Sequence, residues 1–156
     1  MCLFTQKGTM KEKHNKKKKF QIGLRRLYST NNPSKEILKY LSIDKESFIE
    51  YINSKLLDGM TLENFGSVWG MDHIVPVDLF DLNNEEDLKV CYNFINIIPM
   101  FNNDNRLKGG SVHFSAILLK NTIKKEREKK HKNTLLKLLA KCEQEIVCRY
   151  DKYLLV

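Results

Sequence analysis

Trp69-Gly70-Met71-Asp72-His73-Ile74-Val75-Pro76, answered by Asn96-Ile97-Ile98-Pro99-Met100 and then by Asn105-Arg106-Leu107-Lys108, is the stretch on which the reading of this chain turns. It gathers an Asp-His pair, a lone Asn, and a second Asn three residues before a Lys. Val68, Trp69, Met71, Ile74 and Val75 surround the pair and favour extended backbone, and Pro76 closes the run, so residues 68–76 are predicted as a strand. Asn96 to Met100 is predicted as a second short strand. Pro99 has no N–H to give, which puts that strand at an edge or takes it out of the ladder there. Residues 103–108 are expected to begin a helix that Gly109-Gly110 breaks.

The side chains in this stretch suit the hydrolysis of a phosphodiester, which needs an activated water, charge neutralisation on the phosphate and help for the leaving 3′ oxygen. Asp72 and Asn105 carry hard oxygen atoms of the kind that Mg²⁺ or Mn²⁺ prefers. His73 is a base whose ordinary pKa lies near neutrality, so it can take a proton from water. Asn96, on the facing strand, can bond to backbone across the loop and aim the His73 ring. An isolated Asp-His dipeptide is most simply a surface pair, and scattered asparagines are turn residues. The joint pattern points elsewhere.

Working outward, Asn31-Asn32-Pro33-Ser34 is a turn signal that opens a helix of roughly 34–41. Asp44 is an N-cap with Ser47 at N3, and Phe48, Ile49, Ile52 and Leu56 then share one helical face up to Asp58-Gly59. Asn84-Glu85-Glu86-Asp87 leads a short helix of roughly 85–92. Residues 114–150 form a long helical region. In it Leu135, Leu138, Leu139, Cys142, Ile146 and Tyr150 make an apolar stripe at helical spacing, expected to pack on the same domain or, as a second reading, on a dimer mate.

The net charge of +8 over 156 residues is unevenly spread. Residues 1–26 hold nine Lys/Arg against Glu12 alone, residues 27–104 hold five against thirteen acidic, and residues 105–156 hold thirteen against five. Two basic segments thus flank an acidic centre, a distribution that suits a polyanionic partner, although Lys- and Asn-rich coding bias produces similar compositions. Residues 1–20 show no periodicity and carry Lys16, Lys17, Lys18 and Lys19, so the segment 1–30 is expected to be a disordered basic arm. The four cysteines form no C-x-x-C pair, which indicates neither a structural zinc nor a disulfide framework and favours a reduced, intracellular setting. No apolar run approaches the ~18 residues of a membrane span, and no secretory signal is seen near Met1.

The order D-H-I-V-P, N-I-I-P-M and N-x-x-K resembles the HNH endonucleases. Gly59-Met60-Thr61, Asn64-Phe65-Gly66, Trp69, Phe80-Asp81-Leu82, Cys91-Tyr92 and Asn105 to Gly109 extend the likeness toward the HNH endonucleases of phages and large viruses, over roughly residues 41–112. Two positions depart from that pattern: Leu62 stands where a Trp is usual, and Gly70 where a His often precedes the Asp-His pair. The resemblance implies an α+β fold, mainly helical around a small ββα-metal finger with two short antiparallel strands. It implies a helical lead-in and nuclease core over 31–112, with a basic C-terminal helical region, 113–156, packed on it. It also implies a Mg²⁺- or Mn²⁺-dependent DNA endonuclease with Asp72 and Asn105 as metal ligands and His73 as general base, assisted by Asn96 and Lys108. Arg106, Lys108 and the run Lys16 to Lys19 are the expected contacts to duplex or branched DNA. The resemblance fits the cytoplasm or nucleus, a virus-infected host included. Two other functions share the same frame: a non-catalytic nucleic-acid-binding protein and an RNA-cleaving nuclease.

Overall fold

Trp69 is where the chain closes on itself. Its indole is fully buried, and Nε1 donates to the Thr61 carbonyl at 2.8 Å. Asn64 holds the same loop from within: its Oδ1 accepts from Thr61 N–H at 2.9 Å and its Nδ2 donates to the Gly59 carbonyl at 2.8 Å. The sequence between Gly59 and Trp69 is therefore a loop wound around one indole, delivered to the first strand. The computed structural model describes residues 10–30, 35–125 and 131–154.

Seven α-helices and two strands make up the described chain, in the order α1 (Met10–Ser29), α2 (Lys35–Leu41), α3 (Lys45–Asn53), β1 (Trp69–His73), α4 (Glu85–Cys91), β2 (Ile97–Phe101), α5 (Asn102–Lys108), α6 (Val112–Lys125) and α7 (Lys132–Leu154). Short 3-10 turns, Val77–Leu79 and Phe94–Asn96, precede α4 and β2. The strands pair antiparallel, with Trp69 opposite Phe101, Met71 opposite Pro99 and His73 opposite Ile97. The α+β class expected from sequence is thus observed as a mostly helical chain carrying one two-stranded sheet. No described helix is long and apolar enough to cross a membrane.

Local chemistry sets the element ends. The Asp44 carboxylate accepts from Ser47 N–H at 2.7 Å and from its hydroxyl at 3.0 Å, which caps α3 as expected. Asn84 caps α4 through Glu86 N–H and Asp87 N–H. Gly109 ends α5 at φ +49°, a conformation that side chains with a Cβ rarely adopt. Helix α3 stops at Asn53, short of the Asp58-Gly59 boundary read from sequence. Strand β1 ends at His73 rather than at residue 76. The Ile74 and Val75 N–H groups bond to Asn96 outside the ladder, so the extended run leaves the sheet early.

The largest departure concerns the N-terminal basic segment. Residues 1–9 and the turn at 31–34 lie outside the described residues, but Met10–Ser29 is a 20-residue helix rather than a disordered arm. Phe20, Leu24, Leu27 and Tyr28 are buried along one face. The apolar spacing starts only at Phe20, inside a helix otherwise crowded with lysine, and is too short to stand out against that background. Phe20 stacks on Tyr92 with centroids 3.9 Å apart, and Tyr28 meets Trp69 edge-on at 5.6 Å. Gly23 permits the approach of α2, since a Cβ there would lie 2.4 Å from Ile37 Cγ1.

Helices α6 and α7 pack against each other as a hairpin, and Leu135, Leu138 and Cys142 of the predicted stripe are buried in the common core. Those three side chains are buried within the chain. Tyr150 lies beyond the side chains described.

Phe20→Ala is expected to destabilise the chain by about 3–5 kcal/mol, the usual cost of emptying a buried aromatic site. Chemical denaturation measures it; an unchanged midpoint would mean that α1 is not part of the folded core.

Candidate functional site

Asn96 organises the exit of β1. It is fully buried, in the 3-10 turn just before β2 rather than on the strand itself. Its main-chain carbonyl accepts from Ile74 N–H at 2.7 Å. Its side-chain Oδ1 accepts from Val75 N–H at 2.8 Å, while Nδ2 donates to the Cys91 carbonyl at 2.8 Å and the Val75 carbonyl at 3.3 Å. Every hydrogen-bonding function of the amide is used on backbone, which is the bridging role expected of it. Ser115 of α6 grips the same segment from the other side, its hydroxyl donating to the Ile74 carbonyl.

Held in this way, β1 presents its last two residues in opposite directions, as strand alternation requires. His73 turns to the core side, 5% exposed, and meets Tyr92 edge-on with centroids 5.1 Å apart. Its Nε2 is enclosed and has no conventional hydrogen-bond partner among the described residues, and neither has the Tyr92 hydroxyl. Phe20, Tyr92 and His73 therefore form a column of rings from α1 to the strand end. Burial pushes the His73 imidazolium down to a pKa of about 4; the neighbouring Asp72 charge opposes this in part, and Lys108 reinforces it. The ring is neutral at physiological pH.

Asp72 shares the opposite face with Gly70, toward α5. A Cβ at residue 70 would meet only the Asn102 amide oxygen, at 3.6 Å, so the position leaves room beside Asp72. The Asp72 carboxylate is ion-paired with Lys108, Nζ to Oδ2 at 2.5 Å, and the same ammonium donates to the His73 carbonyl. Asn105 lies one helical turn before Lys108 and hence on the same face of α5. It is half-buried, and its side chain has no hydrogen-bond partner among the described residues.

The expected ligands Asp72 and Asn105 are thus carried by β1 and α5, which pack on each other. Two hard oxygen donors, one of them a carboxylate already facing a cation, fit a small divalent ion that keeps most of its own water. Among the described residues no group of three or more His, Cys, Asp or Glu could hold a metal, so any such site would be water-rich rather than a closed protein cage.

Several expected nucleic-acid contacts are placed differently. Lys108 has a side chain only 5% exposed and two internal partners, so in this structure it cannot reach a phosphate. Lys16 donates to the Leu82 carbonyl and to Asn83 Oδ1, Lys17 pairs with Asp78 and Lys19 with Glu36. These lysines pin α1 to the acidic centre of the chain, the nearest polyanion being the protein itself. Lys18 and Arg106 remain exposed, Arg106 against Asn103. Leu62 is 60% exposed and lies on the surface, not in the core. Sequence reasoning missed Tyr92 and Ser115; Tyr92 was visible beside Cys91, but nothing in the linear order tied either one to His73.

The chain is similar to two proteins of Acanthamoeba polyphaga mimivirus. It is 33% identical over 108 residues to uncharacterized protein L426, covering 69% of this chain and 43% of that protein. It is 30% identical over 102 residues to uncharacterized protein L246, covering 62% of this chain and 44% of that protein. The chain thus spans less than half the length of either relative. No protein-family model and no solved structure matches it.

Asn96→Ala strands the buried Val75 N–H and should cost about 1–3 kcal/mol in denaturation experiments. A pH dependence is also expected. The unfolded chain protonates His73 near 6.5, the folded one only at about 4. In between, the unfolded state binds more protons, so stability falls as pH drops from about 6.5 toward 4 and levels off below. The loss should be on the order of 3 kcal/mol. Thermal melts of the metal-free protein across this window should show it for wild type and not for His73→Leu; identical slopes would refute the assignment.

Proposed function

We propose that this chain is a metal-dependent endonuclease of the HNH type, hydrolysing DNA phosphodiester bonds with a single divalent ion and His73 as general base. One observation carries the proposal: an antiparallel pair, β1 and β2, runs directly into α5, and Asp72 near the end of β1 meets Lys108, one helical turn from Asn105. The motif resemblance along residues 41–112 supports the same reading, as do the structural roles found for Asn64, Trp69 and Asn96.

The protein's own contribution to the reaction follows from that geometry. Nε2 of His73 is enclosed, and the edge-on contact with Tyr92 is one that can receive a ring N–H. That tautomer leaves the lone pair on Nδ1, and for it to take the proton from the attacking water the ring, 5% exposed on the core side, would have to open to that water. Asn96 fixes the backbone immediately after His73 and so sets the aim of the ring. Asp72 and Asn105 would hold Mg²⁺ or Mn²⁺, which when bound neutralises charge on the phosphate and stabilises the departing 3′ oxygen. Exposed Arg106 and Lys18 supply contacts to the polyanion that weaken with salt.

The test is cleavage of supercoiled, linear, single-stranded and branched DNA, and of RNA, with Mg²⁺ or Mn²⁺. Wild type should cut DNA, and His73→Ala, checked for native circular dichroism, should lose cleavage while still binding DNA. Cutting that survives in His73→Ala or in EDTA would overturn the mechanism. Cleavage confined to RNA would move the substrate. Binding without cleavage of any form would favour a nucleic-acid-binding protein built on the same frame.

A further inference from the structure

The most tightly held charge near the candidate site is the Lys108 ammonium, in a place where the reading above has a metal ion. It bonds Asp72 Oδ2 and the His73 carbonyl, with side chains 5% and 20% exposed for Lys108 and Asp72. An isolated carboxylate in so sheltered a position would be costly, and the lysine offsets that cost. We infer that Lys108 is an internal stand-in for the divalent ion: in the metal-free protein it neutralises Asp72 and keeps β1 docked on α5, and ion binding competes with it for that carboxylate. This inference rests on the metal-dependent reading and assigns Lys108 a role which that reading leaves open.

The geometry supports competition rather than coexistence. Lys108 and Asn105 are three residues apart on one face of a short helix, so the ammonium and an ion bridging Asp72 to Asn105 would lie within a few ångströms. Two cations that close, both partly shielded from water, repel. Displacement costs the lysine two hydrogen bonds, which limits ion affinity, and it frees a long side chain at the edge of the site. The released ammonium is then placed to meet the phosphate, whereas in the metal-free protein it is withheld from one. Coupling between ion and DNA follows, because each favours the state in which Lys108 has left Asp72.

The probe is Mn²⁺ alone, measured by calorimetry and by electron paramagnetic resonance on the full chain, without DNA. Lys108→Met removes the charge and keeps most of the side-chain volume. It should melt at lower temperature than wild type in EDTA, recover with Mn²⁺, and bind Mn²⁺ roughly tenfold more tightly. Wild type should change its melting temperature far less on adding the ion. Equal Mn²⁺ affinity in the two proteins would overturn the inference while leaving the metal site standing. If neither protein binds Mn²⁺, the metal-dependent reading itself fails, and the inference with it. Should Lys108→Met not fold, wild type carries the test through the ¹⁵N signal of its lysine ammoniums. Lys108 should give a slowly exchanging signal in EDTA that is lost on saturation with Mg²⁺; its persistence would overturn the inference.

Discussion

The folded chain depends on one buried amide. Asn96 is fully enclosed and spends its donors and acceptor on the backbone of Val75 and Cys91, while its own carbonyl takes Ile74 N–H. A sheet of two five-residue strands is too small to hold its ends by ladder bonds alone. The amide supplies what a third strand would otherwise provide. It lets the chain leave β1 abruptly after His73, which is why the Asp-His pair sits at a strand end and not within a longer ladder. Ser115 fixes the same point from α6, so the C-terminal hairpin and the sheet share one anchor.

Around that anchor the two faces of β1 have different physics. On the core side, aromatic rings line up from Phe20 through Tyr92 to His73, and burial outweighs the neighbouring Asp72 charge and keeps the imidazole neutral. On the other side, the Asp72 carboxylate meets the Lys108 ammonium. A neutral imidazole and an ion-paired carboxylate are therefore neighbours in sequence. Strand alternation separates them, with low polarity on one side and an ion pair on the other.

The N-terminal helix ties its charge to this design. A helix with eight basic residues would be expected to seek an outside polyanion, yet Lys16, Lys17 and Lys19 meet the Leu82–Asn83 turn, Asp78 and Glu36. The acidic excess of the middle of the chain is thus partly consumed inside the molecule. These exposed pairs add little stability singly. They orient α1 so that Phe20 and Tyr28 reach the rings at the two ends of β1, and that burial is the larger energetic effect.

Local sequence was enough to determine the short-range elements: the caps at Asp44 and Asn84, the breaker at Gly109, the strand around Asp72-His73, and the bridging use of Asn96. Those features rest on interactions within a few residues or on a motif whose spacing already encodes a loop. The sequence could not show that α1 folds against the core, because the decisive partner of Phe20 lies 72 positions away at Tyr92, and a lysine-rich background hides a short apolar face. Nor could it show that Lys108 turns inward. Helical spacing placed Lys108 on the face of Asn105, but whether its ammonium meets solvent or Asp72 depends on how α5 docks on β1. That choice is made by the tertiary structure, since a carboxylate drawn out of water attracts the nearest cation that the fold can bring to it.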